Sequence, residues 1–183
     1  QYSYGYKGLS SNAANEIYGA GVMYNGTLGG VGVKADAGWV TYDIDVATAN
    51  SNEYSFGTQL SYAGFTLGGS YRIVRENAVG SSIVANNNVS SGETWDIGLM
   101  YETGPYAVSF VYFNSKANGD TSIDGEDEAT VYQVSGKYSM GPGVDLLATV
   151  GHAEFDDETA KASGGDVNHN EGWAVMTGLS LAF

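Results

Sequence analysis

The residues able to do chemistry in this sequence are charged, few, and scattered singly along alternating segments. Lys34, Asp36, Arg72, Asp96, Glu102 and Lys137 take the polar positions of such segments, and Arg75 is a further candidate beside Arg72. None is grouped with a nucleophile. Isolated charges of both signs on a wet wall can set up a field that sorts ions by sign and orients dipolar solutes. A second acidic set, Asp120, Asp124 and Glu126, falls between segments, in the stretch 117–128. Asp120-x-Ser122-x-Asp124-Gly125 spaces its oxygens like the first half of a calcium loop. The twelfth position is Val131, where such a loop needs a bidentate Glu. A solvated loop is the better reading, with Ca2+ held adventitiously at most, and no cofactor is expected.

Catalysis finds little support. His152 falls on the same stripe as Leu146, Ala148 and Val150, and His169 lies in a long polar stretch with Asp156 and Asp157. Neither histidine has a serine and a carboxylate at a recognisable spacing. No glycine-rich phosphate cradle of the G-x-x-x-x-G-K type occurs. The chain is therefore read as a non-enzyme.

The elements that must position these charges are strands. In 93–102, Trp95, Ile97, Leu99 and Tyr101 point one way, and Asp96, Gly98, Met100 and Glu102 the other. A period of 2 marks a strand, where a helix would show 3.6. The same alternation runs through 54–62, 65–73, 106–112, 132–140 and 173–183, and less regularly through 16–24, 30–42 and 144–155. Residues 1–9, with Tyr2, Tyr4 and Tyr6 on one face, supply a candidate tenth strand. The whole chain, 1–183, reads as one all-β domain.

Composition narrows the class. Lys+Arg number 7 against 21 Asp+Glu, a formal charge of −14, so the basic footprint of a nucleic-acid binder is missing. No apolar run approaches the roughly 18 residues of a membrane-crossing helix. A transmembrane antiparallel up-and-down β-barrel remains open, because its strands carry apolar residues in alternation. The connections favour it. Short links at 25–29, 63–64, 103–104 and 141–143 alternate with long polar ones at 43–52, 77–92, 117–128 and 156–170. Tight periplasmic turns and longer external loops produce that alternation. One face of each strand mixes Gly, Ser, Asp, Gln, Lys and Arg, a poor dry core and a good wet lumen. Aromatics recur near strand ends on the apolar face, as two interfacial girdles would require.

The segment Glu171–Phe183 resembles the closing strand of porins from alphaproteobacteria. The hairpin Tyr138–Val144 leading into Gly151–Asp156 is similar, as is Glu93–Tyr112 with its Tyr101-Glu102-Thr103-Gly104-Pro105-Tyr106 turn. That resemblance implies a general-diffusion channel in the bacterial outer membrane, passing ions and small polar solutes. It also implies a homotrimer of barrels, each of about 16 strands, surrounded by outer-membrane lipid and lipopolysaccharide. Phe183 would match the terminal aromatic that the assembly machinery reads. The chain would then be the C-terminal nine to ten strands of a longer barrel, and the loop that narrows such pores would lie in the earlier half.

Two other readings stay open. A barrel of ten strands without an open pore could act through its acidic external loops as an adhesin or enzyme. A soluble β-protein would bury its apolar face inward and show a polar outside.

Overall fold

The computed structural model describes residues 14–44, 49–77, 91–118, 125–158 and 168–182. These form nine strands: β1 (Ala14–Leu28), β2 (Val31–Ile44), β3 (Ala49–Tyr62), β4 (Phe65–Asn77), β5 (Gly92–Thr103), β6 (Tyr106–Asn118), β7 (Glu126–Gly141), β8 (Val144–Asp156) and β9 (His169–Leu181). Each pairs antiparallel with the next in one sheet, in sequence order. Among the described residues β1 and β9 make no contact, so the sheet stays open. The candidate strand at 1–9 lies outside the described residues, as does Phe183.

Register explains why alternation sorts the residues so cleanly. Val33, Leu60, Leu67, Leu99, Phe110, Val134, Val150 and Val175 lie side by side across eight strands. One residue along, the row reads Gly32, Ser61, Thr66, Met100, Ser109, Ser135 and Thr149. A period-2 side chain in a straight register makes the first row one face and the second row the other. Along β5 the apolar positions are exposed and the polar positions half-buried. Leu99 is 48% exposed, Phe110 46% and Val134 51%, so the apolar face is the uncovered one. A continuous apolar face of this extent has no place on a soluble monomer, and the soluble reading fails here.

Aromatic rings mark both ends of the apolar face. At the short-turn end Phe65 meets Tyr101 at 4.5 Å and Tyr106 stacks on Tyr138 at 5.1 Å between centroids. At the other end Trp95 meets Tyr112 at 4.9 Å, Tyr112 meets Tyr132 at 5.1 Å, and His152 meets Trp173 at 4.7 Å. Rings with an apolar body and a polar edge belong at the two membrane–water interfaces.

The short connections are tighter than the sequence suggests. Residues 25–28 belong to β1, leaving the two-residue turns Gly29-Gly30, Ala63-Gly64, Gly104-Pro105 and Pro142-Gly143. Gly29, Gly30, Ala63 and Gly64 all have positive φ, so the first two turns are of the type that matches strand twist. A side chain at Gly64 would also meet the Glu102 carbonyl oxygen at 2.5 Å, which excludes larger residues there. At the opposite ends the strands outrun their alternation. β2 continues to Ile44 and β3 starts at Ala49, so the expected long link 43–52 is mostly ladder. About 9–11 residues cross the hydrocarbon, while β7 has 16. The excess projects into water, where both faces are polar and the apolar signal vanishes.

Candidate functional site

The polar face carries the expected charges, and the structure shows which of them meet. Arg72 on β4 donates from Nε and from a terminal nitrogen to the two carboxylate oxygens of Glu53 on β3, both at 2.7 Å. This two-pronged pair fixes the guanidinium plane in a way a single contact would not. On β7, Lys137 donates from Nζ to Oε1 of Glu102 on β5 at 2.8 Å, spanning the small Ala107 that lies between them in register. Asp96 accepts from the Ser70 hydroxyl directly across the β4–β5 pair. Asp145 accepts from Ser139 Oγ at 2.6 Å. Hydroxyl pairs Ser61–Thr66, Thr94–Ser115 and Ser135–Thr149, at 2.9–3.1 Å, continue the polar face.

Lys34 and Asp36 stand on β2 beside a shallow concave groove of about 500 Å3, with Gln59, Ser70 and Asp96 on its other side. Its floor includes Gly57, Gly68 and Gly98. The Asp36 carboxylate leans over Gly57, where a Cβ would come within 2.5 Å of its Oδ1. Glycine at that point gives the carboxylate room to lie flat along the wall.

One expectation changes, and two residues are added. Arg75 is not on this face. It stands three residues from Arg72 in a strand without irregularity, so alternation turns it outward with Tyr71 and Ile73. Glu53 belongs to the site and is missed by the sequence reading, because its strand shows no apolar stripe before Tyr54. Extending the parity back from Ser55 would have found it. Asp145 is missed for a similar reason, at the start of β8 beside a register irregularity in β7.

The remaining expected residues separate. Asp120 and Asp124 lie outside the described residues, and Glu126 opens β7 as an exposed side chain. Asp156 and His169 face each other in register, and His169 Nε2 stands 3.7 Å from Asp157 Oδ1. At the external end, Asp127 shares a hydrogen bond with Glu158, which together with burial holds its carboxyl above the ordinary range.

An exposed apolar face backed by a polar, charged one, on nine consecutive antiparallel strands, is the arrangement of an outer-membrane barrel wall. Residues 1–158 match the Gram-negative porin family. The chain belongs to that family. Porins are non-enzymatic barrels of the Gram-negative outer membrane, which removes the enzyme reading. Among solved structures, this porin is similar to OmpT of Vibrio cholerae expressed in the outer membrane, with a TM-score of 0.56 and 12% identity, over 90% of this chain and 56% of that one. It is equally similar to the trimer form of Vibrio cholerae OmpT folded in vitro, with a TM-score of 0.57, 12% identity and the same coverage. The porin chain thus spans little more than half the length of these structures, and at that identity the likeness concerns the fold. No curated protein matches it.

Proposed function

We propose that this porin forms part of the wall of a water-filled channel for passive diffusion of ions and small polar solutes across the outer membrane. One observation carries the reading: from β2 to β9, a row made mostly of hydroxyls, glycines and paired charges lies back to back with an exposed apolar row. A wall with lipid on one side needs water on the other to keep Arg72, Glu53, Lys137 and Glu102 solvated. Nine strands over 56% of the OmpT length scale to about sixteen, a barrel wide enough for an aqueous lumen. Backbone groups along the open edges of β1 and β9 need pairing partners inside a bilayer, which further strands of such a barrel supply. On this reading residues 1–183 all belong to one barrel domain. The C-terminal resemblance favours the alphaproteobacterial branch, and the OmpT trimer favours a homotrimer embedded in outer-membrane lipid and lipopolysaccharide.

The inward charges Lys34, Asp36, Glu53, Arg72, Asp96, Glu102, Lys137 and Asp145 are proposed as the pore lining. The rival, a pore-free barrel of ten strands, would require residues 1–9 to bridge β1 to β9. Protein extracted with detergent from outer membranes and added to a planar bilayer decides between them. Stepwise ohmic increments, together with liposome swelling in small but not large sugars, are expected. Insertion without any conductance would overturn the channel.

A further inference from the structure

The outer face of β8 and β9 holds a group that transport does not use. His152 and Trp173 are cross-strand partners in the external aromatic row, and the next pair outward on that face is Glu154 and Glu171. His152 Nδ1 and one carboxylate oxygen from each glutamate lie within 4.8 Å of one another. The His152 Nδ1 to Glu154 Oε1 separation is 3.5 Å, too long for a good hydrogen bond. It is close to the donor–donor edge of a tetrahedral site, roughly 3.3–3.4 Å for bonds of about 2.0–2.1 Å.

The imidazole is fixed independently of the acids. Its ring packs against the Trp173 indole at 4.7 Å between centroids, and its side chain is only 15% exposed. Packing therefore restrains the plane of the ring beside the two carboxylates. The two glutamates stand directly opposite each other, where like charges destabilise a strand pair. Among the described residues neither is in an ion pair with a lysine or arginine. A cation held between them would remove that repulsion and tie β8 to β9.

We propose that His152, Glu154 and Glu171 bind one divalent cation of the zinc class at the external rim of the barrel. One nitrogen and two carboxylate ligands suit Zn2+ and its transition-metal neighbours, whereas Ca2+ takes oxygen ligands and a larger shell. Three ligands leave a fourth position for water on the exposed side. The proposal does not depend on the channel conducting.

The test uses detergent-solubilised protein from outer membranes, stripped with chelator and titrated with Zn2+ in a calorimeter with excess Ca2+ to occupy the acidic loops. One Zn2+ per chain is expected. His152→Gln and Glu171→Gln should each weaken that binding by more than about tenfold, the scale lost even when a group that merely orients a ligand is removed. Co2+ in place of Zn2+ should give the visible absorption of a nitrogen-bearing tetrahedral site, lost in His152→Gln. Glu171→Gln keeps the side chain's shape and so reports on ligation where His152→Gln disturbs the Trp173 contact. Equal binding by wild type and both variants, or full suppression of Zn2+ binding by Ca2+, would overturn the site.

Discussion

Arginine introduced at Leu99 or Phe110 is expected to cost the folded barrel about 2–4 kcal/mol, the depth-dependent penalty for a cation near the bilayer midplane. Both positions lie in the middle of the apolar row, four or more residues from either end of their strands. Leu99 and Phe110 face each other there and are roughly half exposed among the described residues, at 48% and 46%. A guanidinium at that depth must drag water into hydrocarbon or stretch to an interface. The same arginine at Ser135 stands on the polar face, one residue along the strand from Val134, and should leave folding within about 0.5 kcal/mol. Urea-induced unfolding from lipid vesicles measures both. Equal losses at Leu99 and Ser135 would contradict the assignment of faces.

Ion selectivity should respond to the inner carboxylates and not to the outer ones. On the described inner wall Arg72 and Lys137 are each matched by a carboxylate, through Glu53 and Glu102. Asp36, Asp96 and Asp145 face Lys34 alone among the remaining inward bases, so the described wall leans acidic and favours cations. Glu53→Gln removes one negative charge and weakens the two-pronged contact to Arg72. A unit charge about 7 Å from a passing ion in water contributes about 0.6 kcal/mol, which changes the local ion concentration roughly threefold. The reversal potential across a KCl gradient at low salt should therefore move toward anions by that order for Glu53→Gln, and less for Asp96→Asn. In molar salt the Debye length falls to about 3 Å and the shift should largely disappear. Glu93 accepts a hydrogen bond from Tyr71 on the outward face, so Glu93→Gln is the control that should change nothing. A shift equal to that of Glu53→Gln in this control would remove the link between face and selectivity.

How far the sequence could be read follows from where the solvent changes. In the hydrocarbon zone one face must be apolar, and so β3, β4, β5 and the centre of β7 are legible residue by residue from alternation alone. Beyond the aromatic rows both faces meet water, and nothing in the pattern separates ladder from loop. Ala49–Asn52 and the last residues of β2 read as loop for that reason, and Glu53, a partner of Arg72, goes unseen beside them. The Arg75 error is of another kind. Alternation alone places it outward, three positions from Arg72, whereas its candidacy rests only on nearness to Arg72 in sequence. Pairings between strands were the least legible part. Glu102 with Lys137, and His152 with Glu154 and Glu171, meet only because of a register that no local signal encodes. The family resemblance supplied the class of barrel, whereas the charge pairs that set its wall came from the structure.

The most direct test of the two-faced wall exploits the complete lack of cysteine in this chain. Single cysteines placed at each position from Asp96 to Met100 in β5 would be probed in intact outer membranes with a membrane-impermeant, water-soluble thiol reagent. Labelling at Asp96, Gly98 and Met100 with protection at Ile97 and Leu99 is the predicted result. Uniform labelling, or labelling confined to Ile97 and Leu99, would contradict a water-filled lumen behind a lipid-facing row.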